Sequence, residues 1–356
     1  MEDSISEEVA KALALKLTRK EKTLLVKRYT ENAEAYEAYL KGRYFFDKRT
    51  AEGLGKGIEY FNHALTLDTN YALAYTGLAD SYNLLHSYSA LPLPESDLMA
   101  ERAILRALEL DDELGEAHAS LGHLRTRQWD WSVAEKEFQR AIELNPNYAT
   151  AHAWFALHLG LTGRFEEAFA ETKRAQALDP LSLIINFGAA LHLYLTRRYD
   201  QAIEQFRRTL ELDSDFALAH CCLGYTCEAQ GKYDEAAFEY QLAQSRLGNV
   251  PEITACLGRI HALSGRRGEA QDAIDELRRL PRKRCGQTGF IALIYTALED
   301  KDEAFRWLEL GYTEHDEGLA LLKVDPRLDS LRADARFKSL LERVGLADSN
   351  HLTSSE

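Results

Sequence analysis

The feature that most constrains this chain is a repeat of fixed length. The segment LGEAHASLGHLRTRQWDWSVAEKEFQRAIELNP begins at Leu114, and the segment after it, NYATAHAWFALHLGLTGRFEEAFAETKRAQALDP, repeats its pattern with a shift of 34 residues. A fixed period of this size is typical of arrays of small structural units. Because each unit of such an array packs mainly on its neighbours, the sequence predicts an elongated stack rather than one closed core.

One position of the repeat carries a small residue in every unit. This position is occupied by Gly57, Ala100, Ala134, Ala168, Ala202, Ala236, Ala270 and Ala304, with steps of 34 residues from Ala100 onward. A large apolar residue usually follows four positions later, and another small residue three positions after that, which are helical spacings. A small side chain is needed where two helices cross closely. The pattern therefore predicts an all-α fold of about eight helix-turn-helix units with this position at its structural core.

The step from Gly57 to Ala100 is 43 residues, so nine residues are inserted in that unit. The insertion lies within residues 87–96, SYSALPLPES, whose prolines and serines predict a loop between the two helices of the unit. We expect the array to extend over residues 34–316. Residues 1–33 predict short helices that form a cap or the remnant of an upstream domain, and residues 317–356 predict capping helices and a frayed tail.

The composition argues against several classes of protein. A formal net charge of −14 disfavours direct binding of nucleic acid, which needs clustered Lys and Arg. Five cysteines without a disulfide-framework spacing favour a reducing compartment. No apolar run reaches the roughly 18 to 20 residues of a membrane helix, and the acidic N-terminus is not typical of a secretory signal. We expect a cytoplasmic chain that has no membrane partner.

Three features of the repeat point to a known family. They are the pair Leu121-Gly122, the run from Tyr233 to Ala236 with Tyr240 behind it, and the closing turns ELNP and ALDP. In these features the chain resembles the tetratricopeptide repeat. The resemblance implies a right-handed superhelical solenoid whose concave groove binds a protein or peptide partner.

A second resemblance concerns the surroundings of the array. Residues 15–50 and 57–85 look like the C-terminal half of multidomain bacterial signalling and transcription-regulatory proteins. In those proteins a kinase, cyclase or DNA-binding domain precedes the repeats. The resemblance implies a sensor or scaffold half that acts in signalling or regulation.

The groove of such a solenoid is lined by two positions of each first helix. The side chains that we expect there are Thr76, Asp80, His123, Ala153, Leu157, Phe187, Leu191, Cys221, Tyr225 and Arg259. Most are apolar, and the Lys and Asn residues that clamp a C-terminal carboxylate in chaperone-binding relatives are missing. The sequence therefore favours an apolar groove for a helix or an extended segment.

Histidines and cysteines also recur at fixed positions. His118, His152 and His220 share one position, where the family has an aromatic residue, so they form either a ligand-binding or pH-sensing row or ordinary helix packing. Cys222 and Cys256 share another position. No third or fourth ligand converges on them in the pattern, which favours buried small apolar side chains over a metal site.

Two further clusters are candidates for partner contacts. Trp129 and Trp131 flank the turn of one repeat, where they either pack the turn or bind a partner. Residues 278–284 contain five Lys or Arg residues around Pro281. This basic stretch is interpreted either as a site for an acidic partner or, preferably, as a solvated turn between repeats.

Catalytic motifs are absent from the sequence, which has no P-loop, GxSxG, HExxH or kinase signature. We therefore expect a non-catalytic interaction scaffold without a cofactor or a metal site. One alternative is the regulatory half of a larger protein whose upstream kinase, cyclase or DNA-binding domain lies outside this chain. The other is a receptor that senses a small ligand in the groove. The sequence leaves open self-association into a homo-oligomer, and also occupation of the groove by the insertion or by the C-terminal tail.

Overall fold

A computed structural model describes residues 30–88, 91–280 and 286–347. Within these residues seventeen α-helices follow one another: α1 Ala33–Phe46, α2 Ala51–Leu67, α3 Ala72–Leu85, α4 Leu93–Leu110, α5 Gly115–Arg127, α6 Trp131–Leu144, α7 Ala149–Leu161, α8 Phe165–Leu178, α9 Leu183–Leu195, α10 Tyr199–Leu212, α11 Ala217–Ala229, α12 Tyr233–Leu247, α13 Pro251–Leu263, α14 Arg267–Arg279, α15 Gln287–Ala297, α16 Lys301–Glu314 and α17 Ala335–Val344. Two 3₁₀ helices, Glu317–Leu321 and Pro326–Leu331, lie between α16 and α17. The helices predicted within residues 1–29 lie outside the described residues.

Helices α1 to α16 form eight consecutive pairs, one pair per repeat. The first helix of a pair packs on the second helix of the same pair and on the pair before it. The core is accordingly a string of apolar clusters along the array rather than one central cluster. The predicted fold class, an all-α right-handed superhelical solenoid of about eight repeats, is confirmed.

The turn inside most pairs contains one residue in the left-handed conformation. Glycine occupies this position at Gly163, Gly231 and Gly265, with φ between 74° and 86°. Glycine adopts such a φ without steric cost and ends the first helix there. Other repeats place larger residues at the same position with φ between 52° and 63°, namely Arg49, Trp129, Arg197 and Glu299. For such residues this conformation costs about 1–2 kcal/mol each.

The small-residue position of the repeat is buried in all eight units. Gly57 is buried, and the alanines from Ala100 to Ala304 have no exposed surface. Close helix contact explains the preference, since a Cβ at Gly57 would lie 3.2 Å from the Gly42 carbonyl oxygen of the first helix. A Cβ built at Gly42 or at Gly77 would lie 2.5 Å from the ring of Phe61. Two glycines of consecutive first helices therefore enclose one phenylalanine.

The fourth repeat departs from this packing in an instructive way. Thr172 stands where the other repeats have a large apolar side chain, and its hydroxyl donates to the Ala168 carbonyl at 2.7 Å. His192 from the next repeat fills the space, with its Nδ1 3.0 Å from the Thr172 Oγ1. A Cβ at Gly160 would meet the same imidazole at 2.9 Å. A histidine of the next repeat thus replaces the missing apolar side chain.

The insertion is present, but the loop predicted over residues 87–96 is wrong in its second half. Helix α4 begins at Leu93 and is 18 residues long, so Pro94 and Ser96 belong to its first turn. Proline is tolerated there because the first-turn N–H has no intrahelical partner. The Ser96 hydroxyl donates to the Tyr82 carbonyl, which fixes the extra turn to α3.

The C-terminal region covers the last repeat. The sequence predicts two short helices broken at Asp325-Pro326, and the structure has two 3₁₀ helices followed by α17. The break lies at the predicted place, because the Asp325 side chain caps the helix that starts at Pro326. Apolar side chains of this region share one cluster with α15 and α16: Leu319, Leu322, Leu328, Leu331, Phe337, Leu340, Val344 and Leu346.

Over the described ranges, none of the helices combines the length and the apolar character that crossing a bilayer requires.

Two glycine substitutions test the packing argument. A Cβ at Gly224 would lie 2.3 Å from the Tyr240 ring, whereas a Cβ at Gly188 would meet nothing within 4 Å. We expect Gly224→Ala to lower the free energy of unfolding by roughly 1–3 kcal/mol through overpacking. Gly188→Ala is the matched control and should raise it by about 0.5–1 kcal/mol, because alanine favours a helix interior. Urea unfolding measures both, and equal effects would contradict the packing.

Candidate functional site

The main feature of the inner face is that part of the same chain lies across it. Residues 315–346, which we call the C-terminal strap, turn back toward the first half of the array. The His315 ring stacks on the Trp129 ring with 3.8 Å between centroids. The Glu317 carboxylate accepts a hydrogen bond from the Ser87 hydroxyl at 2.9 Å and lies 3.3 Å from Arg127 Nε. The strap therefore starts with contacts to the second and third repeats.

The middle of the strap carries a buried ion pair. Arg327 Nη2 donates to Asp325 Oδ2 at 2.8 Å, and about 10% or less of each side chain is exposed. The Arg327 guanidinium lies 4.1 Å from the ring centroid of Tyr225 on α11. Burial works to raise the pKa of the Asp325 carboxyl, but the charge of Arg327 outweighs it and lowers that pKa. The ion pair lies within the strap, and the contact of the Arg327 guanidinium with the Tyr225 ring anchors the strap to the sixth repeat.

The end of the strap returns to the third repeat. Trp131 Nε1 donates to the Val344 carbonyl at 2.8 Å. A Cβ at Gly345 would lie 3.1 Å from the Trp131 ring, so the strap backbone approaches the indole closely. The two tryptophans that the sequence singles out, Trp129 and Trp131, therefore both contact the strap.

The strength of this association follows from its buried apolar surface. The strap buries Leu319, Leu322, Val324, Leu328, Leu331, Phe337, Leu340, Val344 and Leu346, each less than 6% exposed. Burial of one such side chain contributes roughly 1.5–3 kcal/mol. A micromolar to nanomolar partner supplies only about 8–12 kcal/mol in total. Complete displacement by a partner would cost more than that, so the strap is part of the folded array.

The predicted groove residues of the first repeats are engaged in internal contacts. Asp80 is paired with Arg43 at 3.0 Å and accepts from the Ser120 hydroxyl. Burial raises the pKa of the Asp80 carboxyl to about 6, although Arg43 acts in the opposite direction. The Thr76 hydroxyl donates to a carbonyl of its own helix, and His123 stacks on Trp154 with 4.6 Å between centroids.

The predicted groove residues of the sixth and seventh repeats are buried. Tyr225 donates to Glu252 and carries Arg327 on its ring, and the Cys221 thiol donates to the Tyr225 hydroxyl at 3.4 Å. Arg259 donates to the Glu228 carboxylate at 2.7 and 3.0 Å and to the Leu293 carbonyl at 2.7 Å. These side chains bind neighbouring repeats and the strap.

The middle of the predicted groove is more accessible. Ala153, Leu157, Phe187 and Leu191, which we call the central groove patch, are half-buried on α7 and α9. The Phe187 ring packs near Phe206, with centroids 5.9 Å apart. The structure thus divides the predicted groove into two occupied ends and a partly open apolar middle.

The recurrent histidines form a repeated ion pair rather than an isolated row. Each contacts a glutamate nineteen residues later through its Nδ1: His118–Glu137 at 2.6 Å, His152–Glu171 at 2.5 Å and His220–Glu239 at 2.6 Å. In His118 and His220 the Nε2 also faces a backbone carbonyl six residues earlier, at 3.1 and 3.0 Å. Two acceptors favour the doubly protonated imidazole.

The pKa values of these two histidines agree with that geometry. Burial disfavours the charged form of His118, but the hydrogen bond to Glu137 outweighs it and the pKa is raised. The hydrogen bond to Glu239 raises the pKa of His220. In the fifth repeat Asn186 replaces the histidine and donates to the Pro180 carbonyl at 2.9 Å. The shared role of this position is to fix the start of the first helix.

Three other histidines are buried and uncharged. Burial lowers the pKa of His158 and of His192 to about 4, and that of His123 to about 3. His158 contacts the Thr126 hydroxyl at 3.0 Å. They pack between repeats and face neutral partners or rings, so they affect the stability of the fold rather than a chemical function.

The cysteine and metal hypotheses have simple structural outcomes. Cys221, Cys222, Cys227 and Cys256 are free thiols in the interior, and burial raises the pKa of Cys222. In the part of the chain that the structure describes, no three His, Cys, Asp or Glu side chains are grouped to hold a metal ion. Of the predicted basic stretch, residues 281–284 lie outside the described residues.

Sequence reasoning predicted a C-terminal cap and singled out Trp129 and Trp131, but it missed the path of the strap along the inner face and the contact made by Arg197. Arg197 lies at the left-handed turn position, with φ of 62°, and pairs with Asp329 at 2.6 Å. Trp129 lies at the same position of the third repeat and stacks on His315. A large residue where other repeats have glycine accepts backbone strain. That departure from glycine was the available signal for both contacts.

Comparison with protein families agrees with the repeat register. Residues 119–182 match the family described as Tetratricopeptide repeat, and residues 190–231 match the family described as TPR repeat. No curated protein matches the sequence. With the helix pairing above, the array is a tetratricopeptide repeat solenoid. Proteins with such repeats generally mediate protein–protein interactions, and the repeats are generally non-catalytic.

The chain is similar to several solved structures. A monomeric mutant of IFIT1 with m7Gppp-AAAA has a TM-score of 0.55 and 15% identity, covering 85% of this chain and 74% of that chain. The human IFIT1 dimer with PPP-AAAA has a TM-score of 0.52 and 17% identity, covering 74% and 69%. A TPR protein of Thermus thermophilus has a TM-score of 0.47 and 20% identity, covering 52% and 99%. At these identities the likeness concerns the fold alone.

Substitutions of two strap aspartates test the anchoring of the strap. Asp325→Ala leaves the buried Arg327 without its partner, and we expect the free energy of unfolding to fall by roughly 3–5 kcal/mol. Asp329→Ala, on the same strap, removes a partly exposed pair with Arg197 and should cost less than about 1 kcal/mol. Urea unfolding measures both costs. Similar small costs would show that the strap is not buried in solution.

The buried histidines predict a sign for the pH dependence. The pKa of His192 is lowered from 6.5 to about 4, so the unfolded chain binds its proton first as the pH falls. Wild type therefore loses stability from this group between about pH 6.5 and 4. The destabilisation caused by His192→Gln should shrink by roughly 1–3 kcal/mol over that range.

His220 provides the control of opposite sign. Its pKa is raised above 6.5, so its contribution is complete below that pH and is lost as the pH rises through the folded-state pKa. The cost of His220→Gln should shrink toward alkaline pH instead. Parallel urea titrations from pH 4 to 9 distinguish the two slopes, and slopes of the same sign would refute the assignment.

Proposed function

We propose that the chain is a non-catalytic scaffold that binds a protein or peptide partner at the central groove patch. The observation that carries the proposal is the division of the inner face. The predicted groove residues at the two ends are engaged in contacts with neighbouring repeats or with the strap, while Ala153, Leu157, Phe187 and Leu191 stay half-buried. An apolar surface between two covered ends fits a short apolar segment.

The strap itself supports this mode of binding. It lies on the inner face as two short 3₁₀ helices followed by helix α17, and its apolar side chains contact the array between hydrogen-bonded and ionic anchors. Val324 of the strap shares a cluster with α11, against which Phe187 and Leu191 of the patch also pack. A partner segment at the patch would therefore continue the surface that the strap already forms.

The electrostatics favour a protein partner over nucleic acid. The net charge is −14, and neutralising phosphates needs clustered cations. The central groove patch itself is formed by uncharged apolar side chains. A role in bacterial signalling or regulation, in the cytoplasm, is the setting that the resemblance to multidomain regulators suggests for this scaffold.

Photo-crosslinking tests the patch directly. A photoreactive residue at position 153 should capture one defined protein, whereas the same residue at position 181, an exposed leucine in the turn before α9, should not. Leu157→Glu should reduce the capture at position 153 at least tenfold, because a charge in an apolar contact is not compensated. Leu181→Glu is the matched control and should leave it unchanged.

The folding of each variant is checked by circular dichroism and thermal unfolding before crosslinking. Leu157 is half-buried, so Leu157→Glu should retain the helical signal of wild type. Capture at both positions, or capture at position 153 that survives Leu157→Glu, would contradict binding at the patch.

A further inference from the structure

The first helix of the array presents an apolar stripe to solvent. Tyr36, Leu40 and Tyr44 are 52%, 47% and 59% exposed, and they lie four residues apart on α1. Spacings of four place them on one face of the helix. Exposed apolar side chains that lie singly are common on protein surfaces, but a contiguous stripe indicates an interaction site. We call these three side chains the α1 stripe.

The register of the repeats shows what this face contacts elsewhere in the array. Equivalent positions of α1 and α3 are 37 residues apart, so the α1 stripe corresponds to Leu73, Gly77 and Ser81. All three are buried. A Cβ at Gly77 would lie 2.5 Å from the ring of Phe61, which belongs to the second helix of the preceding repeat. This face of α3 therefore packs on the preceding repeat.

Later repeats use the same face in the same way. On α5 the equivalent residues Ser120 and Leu124 have no exposed surface, and Leu124 shares a cluster with Ile104 of the preceding repeat. On α7 Trp154 and His158 are 7% and 1% exposed. Within the described residues, the α1 stripe is thus a stacking face that no repeat covers.

The opposite end of the array is already covered. A head-to-tail contact between two copies would pack the α1 stripe on α16, the second helix of the last repeat. Helix α17 of the strap binds α16 through ion pairs, since Arg336 contacts Asp302 at 2.8 Å. A second pair joins Arg343 and Glu309 at 2.5 Å. Between two copies this leaves a two-fold contact, in which the same surface of each copy meets the other.

We propose that the α1 stripe of one copy of this chain binds the α1 stripe of a second copy, with the two helices antiparallel. The spacing supports a two-fold axis at Leu40, because Tyr36 and Tyr44 each lie four residues from it. The axis places Leu40 on Leu40, and Tyr36 of one copy on Tyr44 of the other. Each apolar side chain of the stripe then has an apolar partner, and the tyrosine pairs contribute a large buried area.

One edge of the α1 stripe carries charges whose sign changes at its centre. Glu34 and Glu37 lie before the centre, and both are exposed. Lys41 and Lys48 lie after it and are also exposed. Spacings of three, four and seven residues keep the four charges on one side of the helix, and the Lys48 ammonium lies 4.6 Å from the ring centroid of Tyr44. The edge is therefore acidic at the start of α1 and basic at its end.

This charge pattern selects the antiparallel arrangement. A two-fold axis brings the same edge of both helices together. Glu37 then faces Lys41 of the other copy, and Glu34 faces Lys48, each pair offset by about two residues, or about 3 Å along the helix. A parallel arrangement would instead place like charges opposite each other. Glu37 and Lys41 also pair within one helix at 2.7 Å, but more than half of each side chain is exposed, so both remain accessible.

The affinity and the orientation of this contact have different sources. Exposed ion pairs contribute little to binding, so burial of the apolar stripe supplies the affinity. The charges exclude the parallel arrangement and fix the register. A contact of one helix on another is small, which predicts a reversible dimer rather than a permanent one.

Sedimentation velocity of the full chain at a series of micromolar concentrations tests the proposal. Wild type should form a dimer whose fraction rises with concentration. Leu40→Glu should weaken dimerisation roughly tenfold or more, because it places two uncompensated carboxylates in an apolar contact at the two-fold axis. Leu105→Glu is the matched control, because Leu105 is 52% exposed on α4 away from the stripe; it should leave dimerisation unchanged.

Charge reversal tests the antiparallel register. At low ionic strength, where surface charges are least screened, Glu37→Lys and Lys41→Glu should each weaken the dimer roughly threefold to tenfold, since each variant places like charges opposite each other. The double variant Glu37→Lys/Lys41→Glu has opposite charges facing each other again. Its dimerisation should return to within about twofold of wild type, because the two substitutions are coupled across the axis.

Three outcomes would overturn the proposal: a wild type that stays monomeric at every concentration, a dimer that survives Leu40→Glu, or a double variant that dimerises no better than the single variants. Circular dichroism and thermal unfolding of each variant check that the array remains folded, as expected for substitutions at exposed positions. The central groove patch takes no part in this contact, so the result does not depend on the partner proposed for that patch.

Discussion

Close stacking of each first helix on the second helix of the repeat before it is the interaction on which this structure depends. It requires a small residue at one position and a large one four residues later, as Ala134 and Phe138 show in the third repeat. An array built this way leaves one stacking face uncovered at each end, because its first and last repeats each lack a neighbour. In the described array the C-terminal end is covered by the strap.

At the C-terminal end the strap covers the last repeat and also extends along the inner face. It packs on α15 and α16 as a cap would, and then continues along the inner face to Tyr225 and Trp131. The cap and the occupant of the groove are therefore the same segment. This arrangement couples the integrity of the last repeat to the inner face of the third and sixth repeats.

The consequence for function is a restricted binding surface. The predicted groove is not open along its whole length, because groove residues at its two ends are engaged in ion pairs, Arg43–Asp80 in the first two repeats and Arg259–Glu228 in the sixth and seventh. Replacing such pairs would leave uncompensated buried charge. What stays accessible is apolar and central, which favours a short partner segment over a long one.

Much of the fold could be predicted because stacking is a local rule. The alanine positions, the turn glycines and the helix pairing recur with one period, and each is set by contacts between neighbouring repeats. The ion pair of His118 with Glu137 also follows a fixed separation, although it needs the structure to be recognised. By contrast, the helical first turn at Pro94 was hidden by a residue that usually ends helices.

The sequence by itself determined the repeat, its register and the class of surface it presents, since these depend on contacts within about one period. The tertiary structure alone decided that the strap lies on the inner face. Trp131 and Val344 are more than two hundred residues apart, and no periodic pattern relates them. Their contact depends on how far the superhelix turns over several repeats, a quantity that sums many small rotations and that no single position of the sequence encodes.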